Sequence, residues 1–203
     1  MAVKEHYFTI GKTASAEFKD RGSKFLSFAY LIETTVEFKK YLQQLRKDHP
    51  KAAHHCFAYR LGIDENNFRL SDDGEPSGTA GRPILGQIDS RQLTNILVVV
   101  VRYFGGTLLG VAGLINAYKT ASSLVLQLTP VIQKQVETTY RIEFDYTRKN
   151  DVVGLLKQYN CSVNSQENQL FCVIETGIPN SRLKEVLIRL GEWQEVRTEK
   201  AML

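Results

Sequence analysis

The pattern of apolar and polar positions is sharpest between Asn95 and Gly113, NILVVVVRYFGGTLLGVAG. Six consecutive aliphatic residues, Ile96 to Val101, give way at Arg102 to two aromatics and two glycines, and then to helical spacing. This predicts a buried strand, a tight glycine turn and a helix. So continuous a run of branched side chains implies a strand covered on both faces, at the centre of its sheet. Its C-terminal end is the natural place for a site.

Upstream, His6 to Ile10 and Ser23 to Ile32 alternate in a strand-like manner about the turn cluster Lys19-Asp20-Arg21-Gly22, which predicts an N-terminal hairpin. Val36, Phe38, Tyr41, Leu42 and Leu45 recur at helical spacing with Lys39, Lys40, Gln43, Gln44 and Arg46 between them. Thr34 or Thr35 caps this helix and Pro50 closes it. Ala53 to Leu61 and Phe68 to Ser71 read as strands joined by the Asp64-Glu65-Asn66-Asn67 turn. Ser71 to Arg82, SDDGEPSGTAGR, is a polar loop long enough to suggest function. Pro83 sits in the first turn of a short helix running to about Ser90, and a longer helix spans Leu108 to Leu128 behind the central strand.

Beyond a short connector the pattern changes. Thr138–Asp145 reads as strand, Lys149–Tyr159 as helix, and Cys161–Ser165 with Leu170–Thr176 as a hairpin about Gln166 to Gln169. Ser181–Leu190 follows as helix and Gln194–Lys200 as strand. That order, strand, helix, strand, strand, helix, strand, is the ferredoxin-like split unit. The chain is therefore expected to hold two domains, residues 1–130 and 138–203, meeting near Pro130 to Glu137.

Composition narrows the class. At 203 residues and 43% hydrophobic the chain can bury a proper core. No apolar stretch is long enough to span a bilayer, and MAVKEHYFTI is charged where a signal peptide is apolar, so a soluble cytoplasmic protein without membrane association is expected. Cys56, Cys161 and Cys172 form no C-x-x-C pair and read as reduced thiols; the latter two are placed symmetrically enough about their hairpin to face each other. Residues 1–130 hold 16 Lys and Arg against 12 Asp and Glu, and residues 131–203 hold 10 against 10, so the whole net charge of +4 lies in the first part. A one-sided excess permits phosphate contact and is also common among enzymes.

The candidate chemistry has two readings at each place. Gly105 and Gly106, between a strand and a helix, suit an anion nest, with Arg102 before it and Lys119 further on. Alternatively these glycines supply positive φ and close helix packing. The spacing is neither a P-loop nor a dinucleotide fingerprint. Asp72, Asp73 and Glu75 offer three carboxylates for Mg²⁺ or for acid–base work, or serve as turn formers. Ser77 stands one place late for a nucleophile elbow. His54 and His55 point to opposite faces of a strand and cannot grip one metal, although His54 and Cys56 share a face. Tyr59, Arg60, Arg69, Arg82, Arg102, Tyr103 and Phe104 mix basic and aromatic side chains at strand ends and loops. The mixture suits base stacking with phosphate pairing, or an ordinary solvated sheet.

AAHHCFAYR (Ala52 to Arg60), SDDGEPSGTAGRPIL (Ser71 to Leu85) and NILVVVVRYFGGTLLGVAGLINAY (Asn95 to Tyr118) resemble, in order and spacing, the signature blocks of the IMPACT/YigZ family. The resemblance covers most of residues 1–130, and the remainder is similar to the small C-terminal domain of bacterial members. It implies an α+β protein. The first domain would be like ribosomal-protein S5 domain 2 and elongation factor G domain IV, and the C-terminal ferredoxin-like βαββαβ domain like elongation factor G domain V. Eukaryotic members regulate translation by relieving activation of the general-control initiation-factor kinase, through an additional N-terminal domain that is not expected here. The resemblance carries over no catalytic residue, metal or cofactor. His54, His55, Asp72, Asp73, Glu75, Arg102, Gly105 and Gly106 occupy the signature positions. The leading expectation is a translation-linked regulatory protein that binds RNA or the ribosome through Arg60, Arg69, Arg82, Arg102, Tyr103, Gly105, Gly106 and Lys119, with a protein partner in translation control as a further one. The alternatives are a hydrolase or phosphoryl-handling enzyme whose Asp72–Glu75 loop faces the Gly105-Gly106 turn, and a protein-binding regulator with no small ligand.

Overall fold

A computed structural model describes residues 5–64, 66–168 and 171–201, so Glu65 of the expected turn and Gln169 and Leu170 of the expected hairpin lie outside the described residues. Tyr7–Lys134 forms one compact unit, and the chain from Gln135 onward, with Glu5 and His6, forms another. The first unit runs, apart from the terminal residues His6 and Gln135 of its outermost strands, β1 (His6–Ile10), β2 (Ala14–Asp20), β3 (Ser23–Leu31), α1 (Thr35–Asp48), β4 (His54–Arg60), β5 (Phe68–Ser71), α2 (Gly81–Asp89), β6 (Ile96–Tyr103), α3 (Gly110–Gln127) and β7 (Val131–Gln135).

Five strands form one sheet in the order β2-β3-β6-β4-β5, with β6 in the middle. Ile96 to Val101 are fully buried. Ile96, Val98 and Val100 meet α2 and α3 through Ile84, Ile88, Leu114, Tyr118 and Val125. Leu97, Val99 and Val101 meet α1 through Phe38 and Leu45 on the other side. Each such side chain stabilises the fold by about 1.5–3 kcal/mol on burial, which explains why this run takes the position covered on both faces. At the start of α1, Thr34 accepts from Glu37 N while the Glu37 carboxylate accepts from Thr34 N, a reciprocal cap.

The N-terminal hairpin differs from the expected one. β3 pairs with β2, and β1 leaves to pair with β7, in the stretch read as a connector. Half-buried Ala14, Ala16 and Phe18 alternate with more polar neighbours, and alanine carries too little apolar surface to mark a strand strongly. The turn itself falls where expected. Arg21 and Gly22, at φ 44° and 81°, form the two-residue connection whose backbone twist matches the flanking strands.

The second unit runs β8 (Glu137–Asp145), a 3₁₀ turn (Tyr146–Arg148), α4 (Lys149–Gln158), β9 (Ser162–Asn168), β10 (Phe171–Pro179), α5 (Leu183–Gly191) and β11 (Arg197–Lys200). Its sheet is antiparallel in the order β11-β8-β10-β9. Ile142, Phe144, Ile174, Val152, Leu156, Val186 and Leu190 form a core of their own. Cys161 and Cys172 do not face each other. Cys172 lies opposite Asn168 and Phe144, while Cys161 precedes β9, whose Ser162 lies opposite Gly177. β9 continues through Gln166 to Asn168, residues expected in the turn. Burial, with Glu137 nearby, pushes the Cys161 thiol up to about 11, so it stays protonated at neutral pH.

Candidate functional site

The loop that follows β5 is held by its own carboxylates. Asp72 Oδ1 accepts from the Ala80 and Gly81 amides at 2.9 and 2.8 Å, and its Oδ2 from Gly78 N at 2.9 Å. The α2 N-cap residue, Ala80, has no side-chain oxygen, so Asp72 caps the helix from eight residues upstream. Asp73 and Gly74 take positive φ, 44° and 91°, which turns the chain sharply back towards β4. There Asp73 Oδ2 accepts from His55 N at 2.6 Å, and its Oδ1 from the Arg46 guanidinium at 2.9 Å.

Glu75 goes inward. Its Oε1 accepts from Arg102 Nη1 and from Tyr118 Oη, both at 2.7 Å, and the Glu75 and Arg102 side chains are only 4% and 6% exposed. Arg102 Nη2 donates to Ser23 Oγ at 3.2 Å, and the same oxygen accepts from Gly105 N at 3.3 Å. One buried ion pair thus ties together the polar loop, the centre of the sheet, the β2–β3 turn and the glycine turn. Cys56 Sγ lies 2.9 Å from the Asp72 carbonyl and 3.3 Å from Tyr118 Oη. Burial pushes both the Cys56 thiol and the Tyr118 phenol far up, so Cys56 is a protonated donor without nucleophilic character at neutral pH. His54 Nδ1 is 2.8 Å from the Asp73 carbonyl, which only accepts, so Nδ1 carries a proton and Nε2, 3.8 Å from Glu75 Oε1, faces the carboxylate. Burial lowers His55 against the opposing pull of Asp73, keeping it neutral on the other face of β4.

Several expectations change here. Asp72, Asp73 and Glu75 do not converge as a metal cage or an acid–base pair, because the bonds above engage them in holding the loop, in different directions. Arg102 is no surface anion ligand: β6 is the central strand, and its last turn of pleat points this guanidinium into the core beside Phe25. Gly105 and Gly106 do not open a helix, since α3 starts only at Gly110. Gly105 instead lies backbone to backbone against Gly22, where an added Cβ would stand 1.9 Å from the Gly22 carbonyl carbon. Tyr59 is buried against Phe38. Tyr103 is half-buried with its hydroxyl 2.9 Å from His49 Nδ1, and Arg60 pairs with Asp89 across the Phe68 ring. Arg69, Arg82 and Lys119 are exposed.

A further cationic surface lies outside the signature blocks. Lys39, Lys40, Arg46 and Lys47 on α1, with Lys51 just beyond it, are all exposed. Their signal was in plain view as the polar positions between the helical apolar ones; it was outweighed by the signature blocks, none of which includes α1.

Asp72 gives this site a pH signature. Burial would raise its carboxyl, but the three backbone donors, aided by Arg82, outweigh that and hold it below its ordinary 3.8. A depressed folded value stabilises above the unfolded value and is lost as pH falls through the folded one. Asp72→Asn should therefore lose stability at pH 7 and flatten the fall of unfolding free energy below about pH 4, as measured by urea titrations across that range. Parallel pH profiles for the two proteins would contradict the assignment.

The class defined by these features is a two-unit α+β protein whose first unit is braced by a buried Glu–Arg–Tyr cluster. The family description Impact N-terminal domain matches residues 21–126. The IMPACT family member YigZ of Escherichia coli is 31% identical over 173 residues, 84% of this chain and 85% of its own. The IMPACT family member YvyE of Bacillus subtilis is 36% identical over 152 residues, covering 75% of this chain and 70% of that one. A crystal structure described as that of a hypothetical protein matches with a TM-score of 0.76 at 27% identity, covering 98% of this chain and 99% of that one. The chain belongs to the IMPACT family.

Proposed function

We propose that this protein is a translation-linked regulator that binds RNA or the ribosome through its first unit. The observation carrying the reading is the exposed row of Lys39, Lys40, Lys47 and Lys51 along and just beyond α1, in the part of the chain that holds the whole positive excess. Such a row meets phosphates without needing a pocket. Arg69 and Lys119, exposed and without an ion pair among the described residues, add to the charge of this unit. Membership of a family whose eukaryotic members regulate translation supports the same reading, and the βαββαβ succession and strand order of the second unit are in keeping with the ferredoxin-like module the resemblance implies. A cytoplasmic setting follows from this role, and no helix among the described residues is long and apolar enough to cross a membrane.

Filter binding to a structured RNA and to purified ribosomes, from low to high salt, tests the proposal. Affinity should fall linearly on a log–log plot, and the triple variant Lys40→Gln, Lys47→Gln, Lys51→Gln should reduce the slope by about one unit for each phosphate contact removed. Absence of binding at low salt, or binding indifferent to salt, would overturn it.

A further inference from the structure

From Ser90 to Val136 the chain carries Arg91, Arg102, Lys119 and Lys134 and not one carboxylate. Within this stretch, Phe104, Leu108, Val111 and Ile115 are 51%, 82%, 59% and 39% exposed. Val111 and Ile115 are one turn apart on α3. Leu108 leads into the line from the preceding loop and Lys119 extends it by another turn. The buried side of the same helix is formed by Leu114, Ala117, Tyr118 and Ala121. The first half of α3 is therefore uncharged on its solvent side and, apart from Asn116, apolar there too, where a surface helix normally carries charge. A contiguous aliphatic ridge of this kind marks an interaction surface.

Its surroundings are cationic. Lys119 is exposed at one end. Exposed Arg21 sits at the other, joined to the glycine turn through the contact between Gly22 and Gly105. Arg102 lies 5.6 Å from the centroid of the Phe104 ring, and its partner Glu75 is buried beneath. On β2, against which α3 packs, Glu17 is engaged by Lys19 and Lys24, and Asp20 is half-buried. Nucleic acid fits this ridge poorly, because three of its four exposed side chains are aliphatic and offer no face on which a base stacks. Aliphatic side chains spaced three and four residues apart instead match the ridge of another helix.

We infer that this face docks an amphipathic helix of a partner protein, one whose apolar stripe is flanked by carboxylates that meet Arg21 and Lys119. The surface is distinct from the lysine row. α1 covers the Leu97, Val99 and Val101 side of the sheet, and α3 covers the Ile96, Val98 and Val100 side.

Two fluorescein-labelled synthetic helices with the same leucine stripe, one flanked by glutamates and the other by lysines, provide the test by fluorescence anisotropy. The glutamate-flanked helix should bind at least about tenfold more tightly than the lysine-flanked one. Leu108→Ser with Val111→Ser should weaken that binding by about tenfold or more, while leaving the melting curve and the salt-dependent RNA binding unchanged. Should the double variant melt early, Lys119→Glu, at an exposed position, supplies the comparison by narrowing the preference between the two helices. Equal binding of both helices, no binding of either, or affinity unmoved by the variants overturns the inference. So does self-association that light scattering detects and Leu108→Ser with Val111→Ser abolishes, which would make a second copy of this chain the occupant. Loss of RNA binding in the same double variant would assign the ridge to nucleic acid and overturn it as well.

Discussion

Glu75→Ala is expected to lower the unfolding free energy by about 3–5 kcal/mol, measured by urea denaturation at neutral pH. The cost arises less from the lost attraction than from what stays behind. The Arg102 side chain is 6% exposed, so removing its carboxylate leaves a buried cation whose remaining side-chain hydrogen bond among the described residues is to the Ser23 hydroxyl. Tyr118 Oη loses its acceptor in the same step, on the helix that lies against the central strand. Arg102→Met placed on Glu75→Ala should recover a substantial part of the loss, because the uncompensated charge is then gone and an apolar side chain fills its place beside Phe25. A Glu75→Ala protein within about 1 kcal/mol of the parent would show that the pair contributes little, as exposed pairs do.

Gly105→Ala should cost about 3 kcal/mol or more, the upper end for an overfilled site, whereas Gly106→Ala should cost only about 1–2 kcal/mol. The two neighbours differ in physical problem. A Cβ on Gly105 would stand 1.9 and 2.1 Å from the Gly22 carbonyl carbon and oxygen and 2.3 Å from Ser23 N, all backbone atoms that cannot swing aside. Relief requires parting the β2–β3 turn from the glycine turn and stretching the Ser23 bonds to Gly105 and Arg102. Gly106 has φ of +84° with open space about its Cβ position, so alanine there meets only the strain of left-handed backbone. Thermal melts of the two variants give the comparison directly. Equal losses would mean that conformational freedom, not close approach, is the reason for both glycines.

How far the sequence reached is clearest when these residues are compared with the ones it placed well. Ile96 to Val101 announced a strand covered on both faces because a continuous aliphatic run fits only a doubly buried position. Thr34, one of the two threonines expected to cap α1, marked a helix start because the cap is formed within three residues, although the part of Glu37 in it appeared only in the structure. Arg21-Gly22 announced a tight turn for the same local reason. The IMPACT signature blocks were likewise readable as they stand. Arg102 was misjudged because a guanidinium at a strand end looks available until its partner 27 residues earlier in the chain is seen to close over it. Asp72 was open to two readings, metal or acid–base carboxylate and turn former, and its amide donors, Gly78 in the loop and Ala80 and Gly81 at the start of α2, come together only once the loop has folded back.

The sequence by itself therefore determined the family, the succession of strands and helices apart from β2 and β7, and the centre of the first sheet, all of which follow from local spacing. Tertiary structure alone decided which strand joins β3, that Glu75 closes over Arg102, and that Gly105 exists to touch Gly22. It also placed the lysines of α1 and the apolar ridge of α3 on opposite sides of one sheet. The physical reason is common to all four: burial of a charge, pairing of an edge and close approach of two backbones are set by residues far apart in the chain, and no local pattern records which of them will meet.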